Sequence, residues 1–290
     1  MIFDLFLSES KQNIINTLKT LRKFSEGLID KDKMTDVLFI GHGSPMNGIS
    51  HNQFSDYWKK LGKEIDQPIA VLVISAHWYT NGTRVTAMDF PETIHDFGGF
   101  PSALYQINYP APGNPGLAQD IKTLITSAIT LDHEWGLDHG TWCVVRHMYP
   151  EANIPVIQLS IDYTKSASEH YQLAKELQSL RKKGVLIIGS GNMVHNLGRV
   201  AWDKLSDASY GYDWTLEMNE KFKSLILNED HQKLIQFERI GEGARLAIPT
   251  PEHYLPLLYT LGLKQKGESV SIFNDVAIGG SITMTSFRLG

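Results

Sequence analysis

Three segments far apart in this chain each run from a short apolar stretch directly into a histidine. They are Leu38-Phe39-Ile40-Gly41-His42, Val71-Leu72-Val73-Ile74-Ser75-Ala76-His77 and Leu186-Ile187-Ile188-Gly189-Ser190-Gly191-Asn192-Met193-Val194-His195. Unbroken runs of Val, Ile and Leu closed by Gly or Ser read as strands buried on both faces, as in parallel sheets covered by helices. Such a sheet lines one crevice with the carboxyl ends of its strands, so the three histidines can converge despite their separation in sequence. A lone strand-end histidine reads as a turn residue. The repetition points instead to a metal site, because neutral imidazole is a common ligand for zinc and for non-haem iron.

Composition narrows the class and the partners. A chain of 290 residues with 42% hydrophobic content can bury a sizeable core in one large domain. The net charge of -5 and pI near 6.1 provide no basic field, so neither nucleic acid nor an anionic membrane surface is an expected partner. A single cysteine, Cys143, excludes an intrachain disulfide and any multi-thiolate metal site, and fits a reducing, cytoplasmic setting. The first residues place Asp4 inside a short apolar run without a basic leader, a poor signal peptide. No stretch reaches transmembrane length.

Periodicity orders the elements. Ile14, Ile15, Leu18, Leu21 and Phe24 have helical spacing, which predicts an N-terminal helical extension over 1–35 outside a catalytic domain over 36–290. Within that domain strands are expected at 36–40, 69–75, 84–88, 154–160, from 186, at 269–273 and at 282–288. Helices are expected at 54–65, 117–127, 141–148, 165–183, 214–227 and 252–261. This alternation implies a single α/β domain with a central, mostly parallel sheet flanked by helices. Residues 101–116, rich in Pro, Gly, Asn and Tyr, read as a long loop of the kind that carries function.

Other candidates cluster in loops. His95 and Asp96 precede Phe97-Gly98-Gly99-Phe100-Pro101, and Asp138-His139-Gly140-Thr141-Trp142 repeats the mixture of polar, aromatic and glycine residues. Both suit a pocket for a small aromatic substrate, with Trp78 beside His77 as a further wall. As plain structure, Asp96 and Asp138 would close Asx-turns. Glu252 or His253, set among Pro249, Pro251 and Pro256, could complete a metal triad. On a helix, adjacent residues diverge by about 100°, so one of the two is expected to bind rather than both. Gly189-Ser190-Gly191 lacks the spacing of a dinucleotide fingerprint or a nucleophile elbow. His51, His133, His147, His170 and His231 stand in polar or surface-like contexts and receive no role.

Read in order, Gly41-His42-Gly43-Ser44-Pro45-Met46-Asn47, Ser75-Ala76-His77-Trp78, His95 to Pro101, Asp138-His139-Gly140, Gln158-Leu159-Ser160-Ile161-Asp162 and Pro251-Glu252-His253-Tyr254-Leu255-Pro256-Leu257-Leu258 resemble one known family. It is the 4,5-DOPA extradiol dioxygenase family, a branch of the class III, LigB-like ring-cleaving dioxygenases. The resemblance runs from about residue 36 to the end of the chain. It implies a LigB-like fold and metal-dependent cleavage of a DOPA-like catechol by O₂ to a muconic semialdehyde. It places metal ligands at His42, His77 and His253, with His195 either a further ligand or the acid/base beside the metal. His139 is the second candidate for acid/base. LigB-type sites with two histidines and a glutamate make Glu252 the competing third ligand. One divalent ion is implied: iron(II) for turnover, since zinc has no accessible second oxidation state, with zinc possible in the isolated protein. The same ligand set suits a zinc-dependent hydrolase, and the scaffold suits a non-catalytic metal- or small-molecule-binding protein. Both readings stay open at this point.

Overall fold

The apolar runs that end in histidine form the middle of one sheet. The structure, a computed structural model, describes residues 34–205 and 209–290. The helix expected at the N-terminus lies outside them. Strands β1 (Val37–Gly41), β2 (Ala70–Thr80), β3 (Thr83–Thr86), β4 (Ile129–Asp132), β5 (Val156–Asp162), β6 (Val185–Gly191), β7 (Val270–Phe273) and β10 (Ser286–Leu289) make an eight-stranded sheet in the order β4-β3-β5-β2-β6-β1-β10-β7. Two short strands, β8 (Ala277–Ile278) and β9 (Ile282–Thr283), pair separately. The four central strands β5, β2, β6 and β1 are mutually parallel, whereas β10 joins β1 and β3 joins β5 antiparallel. The expected α/β class with a central parallel sheet is the one observed.

Side-chain alternation explains why those runs carry no polar face. Val37 and Phe39 of β1 and Ala70, Leu72 and Ile74 of β2 enter one core cluster. Leu38, Ile40, Val71 and Val73 enter the other. Helices cover both faces. Phe54, Trp58 and Leu61 of the helix Gln53–Glu64 and Trp142, Val145 and Met148 of the helix His139–Met148 pack on one side. Leu173 and Ala174 of the helix Ala167–Glu176 and Leu257, Leu258 and Leu261 of the helix Leu255–Gly262 pack on the other.

Several boundaries differ from the sequence reading for local reasons. The helix expected over 165–183 is two, Ala167–Glu176 and Gln178–Lys182, because at Leu177 the backbone N–H turns to Ala174 in a tightened last turn. The helix expected from 252 begins only at Leu255, with Pro256 in its first turn, so His253 sits on the turn before it. The loop over 101–116 contains a short helix, Ser102–Tyr105, and hands over to a helix at Pro115. The strand expected over 282–288 divides into β9 and β10. β4 and β8 are short pieces with no periodicity to announce them.

One backbone contact fixes where the chain returns to the sheet. The N–H of Asn192, just past β6, donates to the carbonyl of His253 at 2.9 Å. A Cβ on Gly191 would stand 2.2 Å from that same carbonyl oxygen, so only glycine allows the approach. Gly191→Ala should therefore push the 249–254 turn off the strand, costing about 1–3 kcal/mol in urea unfolding. An unchanged unfolding midpoint would show that the turn is not held this way.

Candidate metal centre

The carboxyl ends of three neighbouring segments deliver the first imidazoles. His42 follows β1 and still donates its backbone N–H to Gly191, at 3.2 Å. His77 lies inside β2, where the register with β5 becomes irregular between Ile74 and Tyr79. His253 arrives on the turn docked against β6. One ring nitrogen from each of the three lies within 4.8 Å of the others, and Nε2 of His42 and Nε2 of His77 are 3.0 Å apart.

Their outer partners determine where the protons sit. Ser190 Oγ donates to the carbonyl of Gly140 at 2.5 Å, so toward His42 Nδ1, 3.0 Å away, it can only accept. His77 Nδ1 lies 3.1 Å from a carboxylate oxygen of Asp96, and His253 Nδ1 lies 3.3 Å from Glu252 Oε1. Carboxylates accept and do not donate, so each ring carries its proton on Nδ1 and leaves Nε2 as a bare lone pair. Two such lone pairs facing each other at 3.0 Å repel unless a cation lies against both. The donor set fits a divalent metal on that ground alone.

Burial favours the neutral form of His42 and His253, the form that ligates. Burial first, then the neighbouring histidines, hold His42 and His253 well below the ordinary imidazole range. His139 is lowered by burial and by His77, against the pull of Asp96. Burial takes His195 down to about 4. Desolvation would raise Asp96, but hydrogen bonds from His139 and His77 outweigh it and keep the carboxylate ionised.

The remaining candidates surround the trio in different ways. His139 opens the helix His139–Met148, with its ring 3.9 Å from that of His77 and edge-on to His42 at 5.5 Å, measured between centroids. His195 belongs to a neighbouring grouping with Glu252 and His253, its ring stacked on His253 at 3.6 Å and 8°. Glu252 accepts from Thr250 Oγ1 at 2.8 Å and faces His253, so the adjacent pair act together, one orienting the other. His95, expected to face substrate, pairs its Nε2 with the carbonyl of Ile107 at 3.1 Å and packs against Phe97, Tyr105 and Trp142, pinning the loop. Trp78 is 3% exposed and stacks flat on Trp135. Asp96 has both oxygens engaged by protein donors. Phe97, edge-on to His139 at 5.5 Å and to Phe100 at 5.4 Å, supplies an aromatic wall.

Three residues support the site: Asp138, which the sequence offered only as a turn or pocket residue, and Ser190 and Gln158, to which it gave no site role. Asp138 is fully buried, caps the helix carrying His139, and accepts from Ser75 Oγ at 2.7 Å and Gln158 Nε2 at 2.6 Å. Ser190 orients His42. Ser190 and Gln158 are polar residues on strands buried along their whole length, and that mismatch was the available signal.

The family model for the catalytic LigB subunit of aromatic ring-opening dioxygenase matches residues 36–276. This chain belongs to the LigB family. An Escherichia coli K12 protein named 4,5-DOPA dioxygenase extradiol is 47% identical over 259 residues, which span 87% of this chain and 94% of that one. A protein of the same name from Beta vulgaris is 34% identical, across 89% of this chain and 97% of its own. The crystal structure of an uncharacterized Escherichia coli K12 protein superposes with a TM-score of 0.77 at 41% identity, over 88% of this chain and all of the other. The chain is thus an extradiol ring-cleaving dioxygenase of the LigB type, with a histidine-rich site able to hold a metal. Among the described residues no helix is long and apolar enough to cross a membrane.

The buried histidines set a pH dependence. His195 and His170, both lowered to about 4 by burial, take up protons near 6.5 once the chain unfolds. Folded pKa values below the unfolded ones mean stability is fully present above pH 6.5 and is lost as pH falls from there toward 4. Metal-free protein should be less stable at pH 5 than at pH 7 by about 2 kcal/mol for each of these two rings. Denaturant titration at both pH values checks this; equal stabilities would contradict it.

Proposed function

We propose that this chain cleaves the ring of a DOPA-like catechol with O₂, breaking the 4,5 bond to give a muconic semialdehyde. In this reading His42, His77 and His253 hold one iron(II) ion, and zinc can occupy the same ligands in isolated protein. The observation that carries the reading is the convergence of three imidazoles, each with its Nδ1 proton tied to an outer acceptor and Nε2 left bare. The names of the relatives support the choice of substrate. The family match beginning at residue 36 supports the division into an extension over 1–35 and a catalytic domain over 36–290. The lone, buried Cys143 suits a cytoplasmic setting.

A redox-active divalent ion held by His42, His77 and His253 would supply the coordination sites and the electron transfer that catechol and O₂ require. The protein supplies the proton handling and the walls. His139 offers Nε2 as the acceptor for a phenolic proton, and the Asp96 carboxylate at its Nδ1, 2.9 Å away, stabilises the imidazolium that forms. His195, neutral by burial and the first acid/base candidate from the sequence, is the other proton-carrying group, stacked on His253. Phe97, edge-on to His139 and backed by Phe100, presents an aromatic wall to the substrate and limits water around His139.

Replacing His42 or His77 by alanine should abolish stoichiometric metal while the fold survives, as read by metal analysis and circular dichroism. His253→Ala should lose metal far more than Glu252→Gln. The reverse order would make the site a two-histidine, one-carboxylate centre. His195→Asn should keep iron and catechol binding yet slow turnover by about 10²–10⁴-fold, followed by O₂ uptake and by the yellow product. Parallel loss of metal would make His195 a ligand. Absence of O₂ uptake by the iron-loaded native protein across a panel of catechols would overturn the proposal as a whole.

A further inference from the structure

Beside the trio, one carboxylate oxygen meets two imidazoles. Oδ2 of Asp96 lies 3.1 Å from Nδ1 of His77 and 2.9 Å from Nδ1 of His139, while Oδ1 accepts the backbone N–H of His139 at 2.9 Å. The loop that carries Asp96 is itself fastened to the helix carrying His139. Ile94 donates its N–H to Leu137 at 2.7 Å, and the indole of Trp142 donates to the carbonyl of Ile94 at 2.9 Å. Asp96 therefore moves as one body with one of its partners and reaches across to the other.

We propose that Asp96 is a positioning residue shared by two histidines of different duty, fixing the Nδ1–H tautomer and ring direction of His77 as a metal ligand and of His139 as a base. The inference rests on the metal-centre reading above. It differs from the substrate contact expected of Asp96 from the sequence, because both oxygens already face protein donors. A carboxylate is the side chain that suits this place, since two N–H groups converge on a single oxygen and a third meets the other. An asparagine cannot replace it. With its amide nitrogen at the Oδ2 position, a donor faces both imidazole N–H groups. With the amide reversed, a donor faces the His139 backbone N–H. The first arrangement drives a histidine to turn, or to move its proton to Nε2, where it blocks the lone pair that the centre needs; the second keeps both ring contacts but sets two donors against each other at the His139 backbone, loosening the hold on the oxygen that aims the rings.

The test uses metal-free, full-length protein and zinc as the probe, titrated against a chromophoric chelator for the native chain, Asp96→Asn and His77→Ala. Asp96→Asn should bind zinc about 10- to 100-fold more weakly than the native chain, the range seen when the outer partner of a ligating histidine is lost. Long-range ¹H–¹⁵N correlation spectra of the native protein should show His77 and His139 both as Nδ1–H tautomers, a signature that a merely structural carboxylate would not impose. That measurement needs no variant and decides the matter if Asp96→Asn fails to fold. Zinc affinity in folded Asp96→Asn within twofold of native, or an Nε2–H tautomer at either ring in the native protein, would overturn the inference. Retention of zinc by His77→Ala would instead bring down the metal-centre reading on which it stands. Loss by His77→Ala with retention by Asp96→Asn would remove this inference alone.

Discussion

Parallel pairing of β6 between β1 and β2 is the constraint from which the rest follows. In that register Ser190 lies opposite Ile40 on one side and Ser75 on the other. The hydroxyl of Ser190 thereby comes under His42, and the hydroxyl of Ser75 reaches Asp138. A shift of one residue would send every side chain of β6 to the opposite face and remove Ser190 from His42. Backbone hydrogen bonds among buried strands thus set the distances between imidazoles that come from remote parts of the chain.

The electrostatics of the site oppose its own hydration. Several imidazoles and two carboxylates, Asp96 and Asp138, are packed within a small volume and largely shut off from water. Such groups are tolerable only when each donor and acceptor is matched. The matching here is extensive: Asp138 meets Ser75, Gln158 and the N-terminus of a helix, Asp96 meets two histidines, and Ser190 links a ring to a carbonyl. The lone pairs of His42 and His77 face each other unmatched, and that is where a cation belongs.

Much of this was legible in the sequence, and the reason is physical. Strand-to-histidine runs report both the sheet and the convergence of its strand ends, because buried parallel strands leave no room for polar alternation. Of the three histidines that end such runs, His42 and His77 meet; the third, His195, falls in a neighbouring grouping, and His253, which the resemblance supplied, completes the trio. The sequence reading fell short where the deciding contact joins distant residues. Nothing in Pro251-Glu252-His253 says that the helix waits until Leu255, because that delay comes from docking on Gly191. Nothing in His95-Asp96 says that the first residue fastens a loop while the second serves two rings. Both depend on His139 and Ile107 arriving from elsewhere. Edge strands such as β4 were invisible because pairing, rather than composition, makes them.

The docking of His253 on the end of β6 also separates what must be conserved in length from what need not be. The chain leaves the sheet at Asn192 and comes back to touch the same residue at His253, so the excursion between them begins and ends at one point. That closed detour carries the helices Asp213–Leu227, His231–Ile235 and Glu242–Ala247. Residues can be added to or taken from its outer turns without altering the span between the third imidazole and the other two. A lineage can therefore rebuild this lobe while the centre keeps its dimensions.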